Sequence, residues 1–478
     1  MSRFADSIAA GLLRIGVERG DRVAILTRRS VASVASMHAI LSVNAFYVPI
    51  GLSMPRDRID VVLKDCEPRV IIYDAHNRAD AEAAASLVGA KLLELSVSRG
   101  FIDIEESEVR VPNAGSCSSD SGGYILYTSG STGQPKGVVI SQESILDYVD
   151  WSVSYFGVTN RDRILSTAPF HFDMSVFDIF VSLISGATLV IASERECLFP
   201  RLLTRKISEQ GPTIWKGVSS LFGHMTQLSN LDSDALSSLR ILIFAGEKAP
   251  TRFLIRWMQA LPDAQYFNAY GPTEATGISS CYRIERVPKP DDELPIGTAC
   301  TNTRIYLFDG DHELTERCAV GEIVIGGPGV ALGYWRDSAR TAESFVTHIG
   351  SRDFGEPVYR TGDLGRMNDD GDLVFVARVD RQIKHQGYRI ELDEIESALQ
   401  SLEGVVAAAV IHVTKQRQSE LVGFFEAENT IAQSRVRQLL AERLPLYMVP
   451  KELMQLTSIP RTDRGKIDYG ALEAQCKT

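Results

Sequence analysis

The chain has 478 residues, 44 % of them hydrophobic and 23 % charged, which is more than one hydrophobic core supports and calls for at least two domains of ordinary globular composition. Fifty basic against 61 acidic side chains give a net charge of −11, which argues against nucleic acid or anionic membrane as a main partner. Cys66, Cys117, Cys197, Cys281, Cys300, Cys318 and Cys476 form neither a CxxC pair nor a zinc-spaced cluster, and no long apolar run or cleavable leader is visible; the reading is a cytoplasmic protein with reduced thiols.

In chain order, residues 1–20 predict an amphipathic helix, Val23–Leu26 a buried strand, and 31–43 a second helix leading to the apolar text Tyr47–Ile50. The alternation continues through Val70–Tyr73, an alanine-rich helix near 78–88, Ile164–Ala168, Ala187–Ala192 and Ile241–Ala245. This pattern predicts an α/β fold with mostly parallel sheets. A polar Gly/Ser loop at 112–123 feeds the strand Tyr124–Tyr127. After about residue 300, short alternating segments such as Glu322–Ile325 and Asp372–Phe375 predict a β-rich subdomain closing the large domain. A compact tail follows: a charged hairpin (Gln382–Arg389), a helix (Leu392–Leu402) and a strand (Val405–Val413). The boundary is placed near Asp380, giving a large domain of 1–379 and a small α+β domain of 380–478.

The text Tyr127-Thr128-Ser129-Gly130-Ser131-Thr132-Gly133-Gln134-Pro135-Lys136-Gly137 places hydroxyls, glycines and a cation in a turn after a strand, where backbone amides can wrap a polyphosphate. It is not a Walker A loop, because Lys136 lies between Pro135 and Gly137 rather than between Gly and Ser/Thr. Taken alone such a loop is more often a plain turn.

Other texts follow in order: Asn44–Ile50, Phe172-Asp173-Met174-Ser175, Asn268-Ala269-Tyr270-Gly271-Pro272-Thr273-Glu274, Gly321-Glu322-Ile323, Tyr359–Leu364, Leu444–Pro450 and Gly465-Lys466-Ile467-Asp468. With the Ser/Thr/Gly loop, they make nearly the whole chain resemble the adenylate-forming superfamily of acyl- and aryl-CoA synthetases, luciferases and peptide-synthetase adenylation domains. It is most similar to a stand-alone amino-acid adenylation domain. The resemblance implies ATP and magnesium as cofactors, and a small C-terminal domain that rotates between half-reactions.

Residue by residue, it implies that Thr128, Ser129, Ser131, Thr132 and Lys136 surround phosphates, that Tyr270 lies against the adenine ring with Asn268 near its amino group, and that Gly246, Glu247, Ala269 and Gly271 also contact the nucleotide. Thr273 would meet the α-phosphate and Glu274 the magnesium, a hard cation suited to a carboxylate oxygen. Asp363 would accept both ribose hydroxyls, with Arg378 nearby and Asp380 as the pivot; Ala377 stands where the family usually has glycine. Lys466 would bridge the attacking carboxylate and the α-phosphate as charge develops.

Asp173 implies an amino-acid substrate, since family members that act on amino acids use it to pair the α-ammonium. The matching side-chain pocket is Met174, Phe177, Lys216, Ile243, Ala245, Ala269, Gly277 and Ile278. A lysine facing an otherwise apolar pocket needs an acceptor, which points to aspartate or a close analogue. A one-residue slip of its strand would instead turn Lys216 outward.

The chain ends twelve residues after Lys466, so a phosphopantetheinylated carrier protein is expected in trans, meeting Gln386-Gly387-Tyr388. His385-Gln386 stands where the family often has Ile-Arg. A ligase that passes the adenylate to coenzyme A shares every catalytic residue except the logic of Asp173. A non-catalytic nucleotide-binding scaffold must explain why Lys136, Thr273, Glu274, Asp363 and Lys466 are all intact. A small activator protein and the oligomeric state stay open.

Overall fold

A computed structural model of the chain describes residues 2–95, 97–98, 101–102, 122–130, 134–228, 231–248, 251–415, 418–427, 429–462 and 466–476. The chain divides into two compact units: Met1–Gly51, Cys66–Leu126 and Gly137–Val379 make the first, and Leu52–Asp65, Tyr127–Lys136 and Asp380–Thr478 the second.

The first unit carries the α/β architecture expected from the alternating pattern. Its first sheet runs, in spatial order, Gly333–Tyr334, Lys136–Ser141, Gly123–Thr128, Phe46–Pro49, Arg22–Leu26, Val70–Asp74 and Lys91–Leu95. The register Val23↔Tyr47 and Val23↔Val70 is parallel, as strands buried on both faces and written as continuous apolar runs require. The second sheet orders Thr188–Ile191, Arg163–Ser166, Ile214–Val218, Ile241–Ala245, Gln265–Tyr270, Ser280–Ile284 and Thr298–Ala299. Its first five strands are parallel and its last two antiparallel.

One hydrophobic cluster joins the two sheets: Val23, Tyr47 and Tyr124 from the first meet Ile214, Ile243 and Phe267 from the second, with Ile145, Tyr148 and Val149 of the helix Gln142–Tyr155 among them. The opposite face of the second sheet has its own core, in which Trp215, Leu242 and Phe244 pack with Phe222 and Trp257. Trp257 is fully buried and donates through its indole N–H to the Phe222 carbonyl at 3.2 Å. Trp257→Ala empties a large volume and removes that hydrogen bond, although the Phe222 carbonyl still accepts from the Thr226 hydroxyl at 2.8 Å; we expect a loss of about 3–5 kcal/mol in urea unfolding.

The β-rich subdomain is antiparallel, with Arg304–Asp309, Gly321–Gly326, Arg352–Met367 and Phe345–Ile349 in spatial sequence, and Leu373–Arg378 paired to the long strand Arg352–Met367. This strand carries Asp363, opposite Arg378.

In the second unit, the hairpin Gln382–His385/Tyr388–Glu391 turns at Gln386 and Gly387, with φ of 53° and 81°. Two successive positive φ values match the two-residue turn that follows strand twist, and glycine takes the second position without strain. Helix Leu392–Gln400 packs on the antiparallel pair Val405–Lys415/Gln418–Ala427, to which Glu452–Gln455 adds in parallel. The 52–65 and 127–136 segments belong here through contacts a linear reading does not show. Arg58 makes a buried ion pair with Glu394, and the Ser129 hydroxyl donates to the Arg389 carbonyl at 2.8 Å.

His385 and His412 meet edge to face at 5.4 Å between ring centroids. Burial, and then the neighbouring His412, push His385 down to about 4; burial lowers His412 as well. Folded values below the unfolded imidazole value mean that this stability is complete above about pH 6.5 and is lost as pH falls towards 4. The urea midpoint should therefore fall more steeply between these values in the wild type than in His385→Gln.

Candidate active site

In the first unit, candidate residues follow the C-terminal ends of the parallel strands Ile241–Ala245 and Gln265–Tyr270 of the second sheet, the end at which open α/β sheets bind ligands. Strand Gln265–Tyr270 ends in the turn Gly271-Pro272, which presents Thr273 and Glu274 in a short 3-10 turn. A Cβ at Gly271 would lie 2.2 Å from the Gly277 carbonyl oxygen, so this close return of the chain admits only glycine.

The turn brings the Thr273 hydroxyl to 2.8 Å from the Asp173 carboxylate, to which it donates. Two residues far apart in sequence, one expected at a phosphate and the other at an ammonium, thus touch. Glu274 is fully buried and accepts from the Tyr334 hydroxyl at 2.9 Å, which fixes the carboxylate's direction. Among the described residues no group of three or more His, Cys, Asp or Glu could hold a metal. Glu274 nevertheless suits magnesium, which takes one or two protein carboxylates and draws its remaining ligands from substrate phosphates and water.

Tyr270 donates its hydroxyl to Asp363 at 2.6 Å, and Asp363 is also ion-paired with Arg378. Burial, and next the Asp363 charge, push the Tyr270 phenol well above its ordinary range, so it stays a donor. Asp363 is 2 % exposed. Its place on the strand is set by Gly362, at a φ of 69°, and by Thr361, whose hydroxyl donates to the Ile323 carbonyl at 2.7 Å. Asn268 donates its amide to the Pro295 carbonyl at 2.7 Å. Gly246 has a φ of 83° just after strand Ile241–Ala245, and Glu247 accepts from the Ser220 amide at 2.8 Å.

The residues expected to line a side-chain pocket lie in one cluster. Met174, Phe177, Ile243, Ala245, Ala269 and Ile278 are all buried in the cluster between the two sheets, and Gly277 has a φ of 92° with its open side towards the Tyr148 ring. The register Lys216↔Ile243 puts Lys216 on the face of Ile214, whereas Trp215 points into the other core, so the strand has not slipped. Lys216 is 1 % exposed and reaches the Tyr148 hydroxyl at 3.3 Å. Its ammonium also lies 5.4 Å from the centroid of the Phe177 ring. Burial pulls Lys216 below its ordinary range, while Asp173 and then Asp178 oppose that fall.

Tyr148 and Asp178 were not singled out from the sequence. Tyr148 follows Ser144 and Ile145 at core spacing on its helix, and nothing separates it from packing residues. Asp178 did leave a signal: it is the one charge in the apolar run Val176-Phe177-Asp178-Ile179-Phe180-Val181. It sits in a single π-helical turn, Phe177–Val181.

In the second unit, the Thr128 hydroxyl oxygen is buried with no hydrogen-bond partner among the described residues, which suits a loop awaiting an anion's oxygens. Ser131 and Thr132 lie outside the described residues. Lys136 opens the strand Lys136–Ser141. Asp380 accepts from the Gln382 amide at 3.1 Å. Lys466 is exposed on a turn closed by the Thr462 amide donating to its carbonyl at 2.7 Å. His385 and Gln386 line a cavity of about 420 Å³ in this unit with Arg437, Tyr447 and Lys451.

The AMP-binding enzyme family model matches residues 1–335, and the model of the AMP-binding enzyme C-terminal domain matches residues 394–466. The chain belongs to the AMP-binding enzymes. It is 36 % identical over 473 residues to tyrocidine synthase 3 of Brevibacillus parabrevis, covering 99 % of this chain and 7 % of that protein. To surfactin synthase subunit 2 of Bacillus subtilis it is 36 % identical over 476 residues, 99 % of this chain and 13 % of that one. The chain thus spans a small part of these relatives. An artificially fused adenylation–PCP di-domain, NpsA-ThdA from Klebsiella oxytoca, superposes with a TM-score of 0.81 at 27 % identity, covering 95 % of this chain and 87 % of that one. Among the described residues, no helix is long and apolar enough to cross a membrane.

Proposed function

We propose that the chain activates an amino acid with ATP, forming aminoacyl-AMP and pyrophosphate, and then passes the aminoacyl group to the phosphopantetheine thiol of a carrier protein acting in trans. The single observation that carries this reading is the 2.8 Å hydrogen bond from Thr273 to Asp173. It sets an ammonium-binding carboxylate beside an α-phosphate-binding hydroxyl, the spacing needed by a substrate whose amino and carboxyl groups share one carbon. The relatives named above are a tyrocidine synthase and a surfactin synthase subunit, and the di-domain neighbour joins an adenylation domain to a PCP domain, which supports the same acceptor.

In the first half-reaction a substrate carboxylate oxygen bonds to the α-phosphorus, and the bond from that phosphorus to the bridging oxygen breaks, releasing pyrophosphate. Two anions must approach, so cations at the meeting point lower the barrier. Lys466 takes that role, with Thr273 donating to the phosphate. Magnesium, held by Glu274, would supply charge neutralisation of the phosphates. Tyr270, Asn268, Ala269 and Gly271 frame the base, and Asp363 with Arg378 the ribose. In the second half-reaction the carrier thiol, losing its proton, bonds to the acyl carbon and AMP leaves. The 380–478 domain turns about Asp380 between the two steps and presents Gln386-Gly387-Tyr388 to the carrier arm.

The substrate side chain is anionic, as in aspartate, because Lys216 is a buried ammonium in an otherwise apolar pocket. Lys216→Met should lower kcat/KM for acidic amino acids by about 2–3 kcal/mol, roughly 30- to 150-fold, and raise turnover of apolar ones. If acidic amino acids are inert with the wild type while apolar ones react, this assignment is wrong. Supplying a carrier protein and coenzyme A separately tests the acceptor: thioester on the carrier supports the reading, and acyl-CoA alone overturns it.

A further inference from the structure

Asp178 is fully buried, and among the described residues neither of its carboxylate oxygens has a hydrogen-bond partner. A buried carboxylate this poorly partnered is costly, and a charge nearby is the usual remedy. Burial pushes Asp178 up from the ordinary carboxylate range; Lys216, the Ser166 hydroxyl and Arg29 oppose that rise, in decreasing order. Arg29 is engaged elsewhere, donating to the Ser166 and Thr167 carbonyls at 2.8 and 3.2 Å. Lys216 in turn feels Asp173 and Asp178, with Cys281 a weaker influence, and Tyr148 feels both aspartates. Asp173 already accepts from Thr273 and is committed to the α-ammonium in the reading above.

Charge counting then gives each partner a place. The α-ammonium is balanced by Asp173, so Lys216 is balanced either by Asp178 or by the substrate's side chain. With Asp178 ionised, an anionic side chain brings a second negative charge to one lysine. With Asp178 neutral, it brings the first.

We propose that Asp178 is a positioning residue for substrate specificity: it is the resident counter-charge of Lys216 and sets how strongly the pocket prefers an anionic side chain over the isosteric amide. This rests on the reading of Lys216 as the side-chain partner. Asp178 lies in the π-helical turn Phe177–Val181, next in sequence to Phe177, whose ring centroid is 5.4 Å from the Lys216 Nζ, and such turns recur at functional sites.

The test is the ratio of kcat/KM for aspartate to that for asparagine in ATP–pyrophosphate exchange with the full chain. Asp178→Asn keeps the shape and removes the charge, and should raise the ratio roughly tenfold or more near pH 8. In the wild type the ratio, taken with saturating ATP, should climb as pH falls from about 8.5 to 6.5, as Asp178 takes up a proton; in the variant it should stay flat. A merely structural role for Asp178 would lower both activities together and leave the ratio unmoved. A wild-type ratio independent of pH, or a folded Asp178→Asn whose ratio stays within twofold or falls, overturns the proposal. The wild-type profile decides the matter even where the variant does not fold. If the wild type activates neither amino acid, the Lys216 reading fails first and this inference goes with it.

Discussion

Lys466→Ala is expected to lower amino-acid-dependent ATP–pyrophosphate exchange by about 2.7–4 kcal/mol of transition-state stabilisation, roughly 10²–10³-fold, while transfer from a preformed aminoacyl adenylate to a carrier thiol continues. The reason is the difference between the two steps. Adenylation joins a carboxylate to a triphosphate and needs a cation where they meet; thiol transfer releases AMP from an acyl group and has no such encounter. Lys466 stands exposed on its turn, held by backbone hydrogen bonds between Thr462 and Lys466 and between Asp468 and Pro460, so alanine removes the charge without opening a core. Single-turnover thiol transfer measured beside exchange separates a chemical loss from a folding loss. Unchanged exchange in the variant removes Lys466 from the mechanism.

Asp173→Asn is the second large effect. The amide oxygen can still accept from Thr273, so the 2.8 Å link is kept while the charge that pairs an α-ammonium is lost. Truncating one member of a desolvated charge pair costs about 2–5 kcal/mol, so kcat/KM for amino acids should fall roughly 30- to 10³-fold or more. The matching acid without its amino group should lose much less. Equal losses for both would show that Asp173 serves the fold, not the ammonium.

Much of the fold could be read before any coordinates, because parallel strands buried on both faces write themselves as apolar runs such as Val70–Tyr73 and Ile241–Ala245. The candidate nucleotide site stood out in the sequence as short texts with fixed backbone demands, such as the glycine at 271 that no other residue can replace. Less visible was what depends on pairing. Whether Lys216 faces in or out is decided by its register with Ile243, and a strand one residue out of step would give the same sequence pattern. Tyr148 was hidden because a pocket wall and a helix core use the same aromatic at the same spacing. Asp178 was visible as a charge among apolar residues, but its meaning required knowing that Lys216 lies near. The clustering of 52–65 and 127–136 with the last hundred residues was likewise hidden, since it rests on contacts such as Arg58 with Glu394.

The central claim is that this chain makes an aminoacyl adenylate, and ATP–pyrophosphate exchange across a panel of amino acids tests it most directly. The account predicts magnesium-dependent exchange stimulated by amino acids, strongest for those with an anionic side chain and much weaker with their des-amino analogues. Exchange that no amino acid stimulates, or that simple carboxylic acids stimulate equally well, would contradict it.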